Sequence, residues 1–334
     1  MTASLVVQTS FLGDMVLTTP LIAFLAQRDS VDVLCTRAGR ELLANNPAVR
    51  DILVYDKRGA DRGARGFRRI ARMLRQRSYG VAYHAQGSVR SGALTFAAGI
   101  RERVGFAGSA GRLFYTSRIP AVENIHHAAR LLSLGTGEPV RANTTAALRP
   151  HLYPGIIERS QVDEVLGQAA AGAQLFALAP GSVWATKRWP YYPELARELS
   201  RLGQVVIVGA ADDGALALEI VGATKGQAID ATGQLSLLAS ADLIGRAAVL
   251  VTNDSAPLHL ASAMNTPTVA VFGPTVPEFG FGPLASISRI AGNAALACRP
   301  CDKHGPQRCP LGHWRCMREI TPDVVAALVR DLTA

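Results

Sequence analysis

Two loops of this 334-residue chain carry the kinds of polar group that hold a phosphate. Each loop follows an apolar run of strand length and leads into a helical pattern. The first loop, residues 180–188, combines glycine and hydroxyl residues with two cations; its candidate binding residues are Ser182, Thr186, Lys187 and Arg188. Hydroxyls, cations and the N–H groups of a helix start together favour binding of a diphosphate. A surface loop with two solvated cations is the alternative interpretation.

The second loop follows the apolar run 248–252 and begins a short helix. Asp254, Ser255 and Ala256 stand at the helix start, where unpaired N–H groups and the positive end of the helix dipole attract anions. His259 lies in the same helix, so its side chain and that of Asp254 could reach one ligand. The alternative is an ordinary capped helix with a buried histidine.

Two further carboxylate sites follow predicted strands. Asp14, in a Gly13-Asp14 turn after the apolar run 4–8, could serve as a general base, or it could only cap the helix that begins there. Asp212 or Asp213 follows the strand 205–209, where a carboxylate suits the two hydroxyls of a ribose. Helix capping is again the alternative for this pair.

Three of these segments, in this order, resemble the lipopolysaccharide heptosyltransferases of glycosyltransferase family 9, and most of all the heptosyltransferase II type. The resemblance rests on Ser10-Phe-Leu-Gly-Asp-Met-Val-Leu-Thr-Thr-Pro20, Gly181-Ser-Val-Trp-Ala-Thr-Lys-Arg-Trp-Pro190, Asn253-Asp-Ser-Ala-Pro-Leu-His259 and a cysteine-containing tail, and it runs from about residue 4 to residue 330. It implies ADP-heptose as donor, with Ser182, Thr186 and Lys187 around the diphosphate. It also implies that Asp14 is the catalytic base of an inverting transfer, beside an acceptor near Gly13.

The order of predicted elements indicates two domains. Strand and helix patterns alternate on both sides of a Pro/Gly stretch at residues 149–155, which favours two parallel, doubly wound Rossmann-like sheets. We therefore predict an α/β protein of GT-B architecture, with two domains facing each other across a cleft. Residues 1–152 are expected to bind the acceptor and residues 153–316 the donor. The resemblance adds that the final helix, within residues 317–334, packs back on the N-terminal domain.

Positive charge is concentrated in the N-terminal half. Residues 1–150 hold 21 basic and 10 acidic residues, against 14 and 16 in residues 151–334. Much of the excess comes from one stretch, which contains Lys57, Arg58, Arg62, Arg65, Arg68, Arg69, Arg72, Arg75 and Arg77. It could meet a phosphorylated substrate or an anionic membrane, or be a solvated helix face. Nucleic acid is disfavoured because the stretch has few aromatic residues for stacking on bases. We expect Arg62, Arg65 and Arg69 to contact the acceptor.

The chain has no apolar run of the roughly 18 residues that a membrane-spanning helix needs. Its first residues also lack the pattern of a signal peptide. We therefore expect a cytoplasmic protein, monomeric and peripheral at the cytoplasmic face of the inner membrane.

Cysteines gather near the C-terminus. Cys298, Cys301, Cys309 and Cys316, with His304 and His313 nearby, could bind zinc, although their spacing differs from that of common zinc ribbons. Reduced, partly buried thiols are the alternative. The chain contains no Asp-x-Asp sequence of the kind that holds a metal in other glycosyltransferases, so no required cofactor is expected. Lys187, Arg188 and the helix start at Ser255 would stabilise the leaving ADP instead.

The sequence therefore predicts transfer of L-glycero-D-manno-heptose from ADP-heptose to the anionic lipopolysaccharide inner core, on Kdo-lipid A or heptosyl-Kdo. Another nucleotide-sugar enzyme of this architecture, either a different transferase or a non-hydrolysing epimerase, is the alternative within enzymes. A protein that binds a nucleotide or an anionic lipid without catalysis is a third possibility. Asp14 discriminates against the third, because a pure binder has no need of a carboxylate in that position.

Overall fold

The structure is a computed structural model, and it describes residues 3–140, 145–167 and 172–333. The chain forms two compact units, Met1–Tyr153 and Pro154–Ala334. The division lies within the Pro/Gly stretch 149–155 that the sequence indicates as a linker.

The first unit alternates strands with helices. Its strands are β1 (Ala3–Gln8), β2 (Ser30–Cys35), β3 (Asp51–Val54), β4 (Val81–His84), β5 (Glu102–Phe106) and β6 (Ser117–Ile119). Its helices are α1 (Leu12–Ala26), α2 (Arg37–Leu43), α3 (Gly63–Gln76), α4 (Val89–Ala97), α5 (His127–Thr136) and α6 (Thr145–Leu148).

The second unit repeats this plan. Its strands are β7 (Leu175–Ala179), β8 (Gln204–Ile207), β9 (Ile229–Asp230), β10 (Val249–Asn253), β11 (Thr268–Phe272) and β12 (Ser288–Gly292). Its helices are α7 (Ile156–Leu166), α8 (Tyr192–Leu199), α9 (Gly214–Ala223), α10 (Leu237–Arg246), α11 (Ala256–Met264), α12 (Arg315–Arg318) and α13 (Pro322–Thr333).

Both sheets are parallel and share one topology. The order is β3-β2-β1-β4-β5-β6 in the first unit and β12-β11-β10-β7-β8-β9 in the second. This is the doubly wound order in which the connections reverse direction between the first and fourth strands of each sheet. Loops that follow the strands on either side of the reversal meet above the same sheet edge. In the second unit these strands are β7 and β10, which pair directly and carry the two loops singled out from the sequence.

Buried strands form the centre of each sheet. All residues of β1, β7, β10 and β11 are buried, as expected of strands covered by helices on both faces. Such strands read as continuous apolar runs, which is why the sequence located them well.

Helix α1 starts earlier than the sequence indicates. Its pattern predicts a start at Met15, but the helix begins at Leu12 and so includes Asp14 in its first turn. No side chain caps this helix at Phe11.

The final helix, α13, contacts the second unit. Its buried residues Val325, Ala326 and Val329 belong to the core formed by β7, β8, β10 and β11. The core of the second unit therefore covers the apolar face of this helix, and the packing of residues 317–334 on the N-terminal domain stays a prediction. Among the described residues, no helix is long and apolar enough to cross a membrane.

Candidate functional site

The loops after β7 and β10 are joined by buried hydrogen bonds. Asn253, at the end of β10 and fully buried, donates from Nδ2 to the Pro180 carbonyl at 2.8 Å. Its Oδ1 accepts from the backbone N–H of Trp189 at 3.2 Å, at the far end of the first loop. One amide side chain therefore holds both ends of the 180–188 loop against the start of the second loop. Sequence reasoning missed this role, because an asparagine that ends a strand looks like an ordinary turn residue.

Lys187 is buried and paired. Its Nζ lies 2.6 Å from Oδ2 of Asp254, and the Thr275 hydroxyl donates to the same oxygen at 2.7 Å. Only 7% of the Lys187 side chain and 11% of the Asp254 side chain is exposed. The sequence placed these two residues as separate contacts of one ligand. The structure joins them into a preformed cation–carboxylate pair at the start of α11.

Ser255 lies at the start of α11 with its hydroxyl unused by the described part of the protein. It is the N-cap residue of α11, yet its side chain makes no capping hydrogen bond. The Ser255 hydroxyl oxygen is buried and has no hydrogen-bond partner among the described residues. A buried hydroxyl without a partner costs about 1–3 kcal/mol, so this group is poised to bond a ligand atom. Its position at the N-terminus of a nine-residue helix favours an anion.

Ala256 and His259 complete the start of α11. Ala256 is the first residue of the helix, and its backbone N–H is one of those that a helix start leaves for a ligand. His259 is buried one turn further along, with its ring 6.3 Å from that of Phe281. The helix start therefore offers backbone donors and a hydroxyl, with an imidazole behind them.

The remaining residues of the first loop serve mainly to fix its shape. Arg188 is exposed, and its Nε donates to the Ser182 carbonyl at 2.9 Å, which closes the loop on itself. Thr186 is 2% exposed, and its hydroxyl donates to the Pro306 carbonyl. The sequence predicts that Thr186 lies around a diphosphate, but here its hydroxyl proton is used within the protein.

The cysteine-containing segment, residues 298–316, contacts the 180–188 loop through hydrogen bonds and a ring stack. Gln307 accepts from the Ala185 N–H at 3.1 Å and donates to the Val183 carbonyl at 2.9 Å. The rings of Trp184 and His304 stack with centroids 5.2 Å apart. The segment thus holds the Lys187 loop in place, a function that its cysteine spacing does not reveal.

The four cysteines of that segment form no disulfide. Burial raises the pKa of Cys301, and it raises that of Cys316 to about 11; the neighbouring thiols act in the same direction. Within the described ranges, no group of three or more His, Cys, Asp or Glu side chains is arranged to hold a metal ion. Zinc binding and reduced thiols both stay predictions for this segment.

Asp213 lies beside the first loop. Its Oδ2 accepts from the Ala210 N–H at 2.9 Å, so the carboxylate caps the turn after β8. A side chain at Gly181 would meet Asp213 oxygens within 2.4 Å, which shows how closely the carboxylate approaches the loop backbone. The capping interpretation is correct for Asp213 here, and the same position keeps the carboxylate at the edge of the β7 loop.

In the first unit, the Asp14 carboxylate is held by side chains and does not cap its helix. Ser10 donates from Oγ to Asp14 Oδ2 at 2.7 Å. The Nε2 atom of His127 lies 3.7 Å from Asp14 Oδ1. The Asp14 side chain is 22% exposed, so solvent or a substrate can still reach it. A carboxylate that is hydrogen-bonded at one oxygen, has a histidine beside the other and remains open on one side has the geometry of a general base.

His127 is neutral near pH 7. Burial, reinforced by Arg130 and His126, lowers the pKa of His127 to about 3. It begins α5, a helix that packs against α1. The sequence gave no signal for this contact, because His127 and Asp14 come from helices far apart along the chain.

A cavity of about 410 Å³ lies at the carboxyl ends of β1, β2 and β3. Its lining includes Thr9, Ser10, Arg37, Lys57 and Arg58. Ser10 thus lines the cavity and bonds Asp14. The position agrees with the rule that ligands of open parallel sheets bind beyond the strand ends.

Lys57 supplies charge to this cavity without a carboxylate partner. Its Nζ lies 3.3 Å from Thr9 Oγ1, and the described structure gives it no ion pair. Burial, together with Arg58 and Arg90, lowers the pKa of Lys57. By contrast, Arg37 on the same cavity lies 3.3 Å from Asp56. An anion entering the cavity would therefore find Lys57 and Arg58 uncompensated.

The three predicted acceptor arginines have different surroundings. Arg62 and Arg65 are exposed at the start of α3 and form no ion pair within the described part of the chain. Arg69 pairs with the buried carboxylate of Asp61. Gly13 is half-buried in the first turn of α1, next to Asp14. Because Arg69 is already paired with Asp61, its guanidinium has a structural role in this unit.

Known proteins of the same fold are similar to this chain. The model of glycosyltransferase family 9 (heptosyltransferase) matches residues 67–312. Lipopolysaccharide heptosyltransferase 2 of Escherichia coli is 30% identical over 304 residues, which cover 86% of each chain. The solved structure of the E. coli ADP-heptose LPS heptosyltransferase II superposes with a TM-score of 0.80 at 26% identity and covers 100% of this chain and 98% of that one. A glycosyl transferase of family 9 from Veillonella parvula gives a TM-score of 0.86 at 21% identity, covering 99% and 97%.

Proposed function

Since this chain belongs to glycosyltransferase family 9, the heptosyltransferases, we propose that it transfers L-glycero-D-manno-heptose from ADP-heptose to the inner core of lipopolysaccharide. The family makes the protein a glycosyltransferase of GT-B fold. This favours transfer over the epimerase and the non-catalytic binder that the sequence left open. The donor proposal draws support from the E. coli enzyme named for ADP-heptose, which is similar along the whole chain.

The observation that carries the donor site is the buried, partnerless Ser255 hydroxyl at the start of α11. A diphosphate oxygen bound there would accept from that hydroxyl and from backbone N–H groups of the helix start. Lys187, whose Nζ lies 2.6 Å from Oδ2 of Asp254, would supply positive charge to the diphosphate. ADP fits these donors better than a neutral sugar does, because the site is built for negative charge.

The acceptor is proposed to bind in the first unit, with an anionic group in the 410 Å³ cavity. Lys57 and Arg58 face this space without carboxylate partners among the described residues, so a phosphate or a sugar carboxylate would be drawn in. Arg62 and Arg65 add positive charge on the exposed helix that follows. The cavity borders Ser10 and hence Asp14, which would bring an acceptor hydroxyl near the base.

The chemical step is a single displacement. Asp14 takes the proton of the acceptor hydroxyl as its oxygen forms a bond to the anomeric carbon of the heptose. The bond from that carbon to the diphosphate breaks, and the electron pair leaves with ADP, so the anomeric centre is inverted. Ser10 orients the carboxylate through its hydrogen bond, and neutral His127 lies beside the other carboxylate oxygen without neutralising it. General-base assistance of this kind is worth roughly 10²–10⁴-fold.

Stabilisation of the leaving ADP is assigned to Lys187 and the start of α11. Charge that develops on the diphosphate meets a fixed cation and a helix N-terminus, which need little reorganisation. We therefore expect that no metal is required for transfer.

The proposal is tested by incubating the protein with ADP-heptose and truncated core lipids, in the presence and absence of excess EDTA, and weighing the lipid products. One added heptose unit under both conditions is the expected result. Activity that EDTA abolishes and magnesium restores would overturn the metal-free account. Use of another nucleotide sugar in place of ADP-heptose would overturn the donor assignment.

A further inference from the structure

One surface of the first unit combines exposed apolar side chains with uncompensated arginines. On α4, Val89 and Phe96 are 53% and 59% exposed, and a spacing of seven residues puts them on the same face of the helix. Leu113, in the short 3₁₀ turn after β5, is 79% exposed. Large side chains exposed to this extent are more informative when they cluster than when they are scattered.

The 3₁₀ turn that carries Leu113 lies against the helix that carries Val89 and Phe96. The 3₁₀ turn packs on α4, because a side chain at Gly92 would meet Phe114 within 3.1 Å. The rings of Phe96 and Phe114 have centroids 5.9 Å apart, and Leu113 precedes Phe114. The guanidinium of Arg103 lies 5.4 Å from the centre of the Phe96 ring.

Helix α3 brings a basic face to the edge of this cluster. Arg75 donates to the carbonyl of Ala97, the last residue of α4, so the two helices lie side by side. Arg68 and Arg72 share a face of α3 with Arg75 at helical spacing, and all three are exposed. The described residues offer no ion pair to Arg68 or Arg72. We call this set, Val89, Phe96, Leu113, Arg68, Arg72 and Arg75, the α3–α4 surface.

We propose that the α3–α4 surface binds an anionic lipid membrane. Aromatic and aliphatic side chains that protrude beside arginines match the two layers of a membrane interface, with acyl chains below and charged headgroups above. Charge complementarity selects this partner: the arginines lack carboxylate partners in the described structure, and a leaflet rich in acidic lipid supplies many negative charges at once. An acidic protein would have to match each arginine singly.

This binding goes beyond the transfer reaction and does not depend on it. It also accounts for the part of the basic stretch that the acceptor cavity leaves unused. Lys57, Arg58, Arg62 and Arg65 precede the middle of α3, whereas the arginines of the α3–α4 surface occupy its middle and end.

The experiment is flotation of the full chain with vesicles of phosphatidylethanolamine containing phosphatidylglycerol, and with vesicles of pure phosphatidylcholine. We expect binding to the anionic vesicles and little to the neutral ones, with binding lost as salt rises because surface charges are screened. Phe96→Ser with Leu113→Ser should lower the partition coefficient about tenfold. Arg68→Gln with Arg72→Gln should lower it about 25-fold, about fivefold for each charge.

The matched control is Ile156→Ser with Leu218→Ser, which removes side chains that are 81% and 72% exposed in the second unit. This pair should bind vesicles as the parent protein does. Equal binding to neutral and anionic vesicles, equal loss in the control pair, or no loss in the α3–α4 variants would each overturn the proposal. So would a concentration-dependent dimer that Phe96→Ser dissociates, because a second copy would then cover the surface. Transfer to a water-soluble, deacylated acceptor should be unchanged in all variants, which separates this proposal from the function proposed above.

Discussion

The Nζ atom of Lys187 lies 2.6 Å from Oδ2 of Asp254, although the two residues are 67 positions apart. Their loops follow adjacent strands of one parallel sheet, β7 and β10, at the point where the chain reverses its winding. The pair ties the cation of one loop to the helix start of the other. It fixes Lys187 against the residue that precedes Ser255 before any ligand arrives.

This pairing leads to a prediction for Lys187→Ala. The single variant should bind ADP at least tenfold more weakly, because a charge-assisted contact worth about 1.5–3 kcal/mol is lost. It should also destabilise the second unit by about 3–5 kcal/mol, since Asp254 is left buried without its partner. Calorimetric titration with ADP and thermal unfolding measure the two effects.

The double variant Lys187→Ala with Asp254→Ala separates them. Stability should largely return, because no buried charge remains unpaired, while ADP affinity should stay low. Recovery of ADP affinity together with stability would show that Lys187 is only a structural partner of Asp254.

Ser255→Ala gives a sharper prediction, because its hydroxyl bonds nothing in the described structure. The free energy of unfolding should rise by about 1–3 kcal/mol, because the variant no longer buries a hydroxyl without a partner. The dissociation constant for ADP should rise about tenfold or more, as expected for loss of a hydrogen bond to a charged group.

Ser262→Ala is the matched control in the same helix. The Ser262 hydroxyl donates to the Leu258 carbonyl and accepts from the Leu284 N–H, both at 2.9 Å. Its loss should lower stability and leave ADP affinity near that of the parent. If the two serine variants bind ADP equally well, Ser255 has no part in the donor site.

Lys57→Gln should raise the acceptor KM about tenfold and leave the donor KM unchanged, because it removes an uncompensated charge from the cavity beside Asp14.

Arg62→Gln with Arg65→Gln should raise the acceptor KM less, and this effect should disappear as salt rises, since both side chains are exposed. Arg69→Gln should mainly reduce stability, because it leaves Asp61 without its partner. Steady-state kinetics at low and moderate salt test the set; an unchanged acceptor KM for Lys57→Gln would remove the cavity from the acceptor site.

Stability of the first unit should depend on pH. Burial lowers the pKa of His84 and of His127 to about 3, whereas an unfolded histidine titrates near 6.5. Between these values the unfolded chain binds protons that the folded chain does not, so stability falls as pH drops from about 6.5 towards 3. His84→Gln should remove about 1.4 kcal/mol per pH unit from that slope. Hydrogen exchange of β1 and β4 measures it, and an unchanged slope would contradict the burial argument.

The sequence predicted the features that depend on residues close together along the chain. Apolar runs located the central strands, and the loops that follow them carry the candidate residues, including Lys187, Ser255 and Asp14. It could not show that Lys187 pairs with Asp254, because that contact depends on which strands become neighbours in the sheet. Nor could it show Ser10 and His127 around Asp14, since α5 reaches α1 only through packing. The sequence also gave no sign that Arg69 forms an ion pair with Asp61, because that pair depends on how the loop before α3 folds against the helix.

We propose Asp14 as the base for transfer of heptose from ADP-heptose, and its carboxylate can be removed with little change of shape. The most direct measurement compares the parent protein with Asp14→Asn, an isosteric change that removes the base and keeps the shape, by turnover on ADP-heptose and a core acceptor together with ADP binding. We expect a loss of turnover of about 10²-fold or more with near-normal ADP affinity. Turnover near that of the parent protein, or no heptose transfer by the parent protein on any core acceptor, would contradict it.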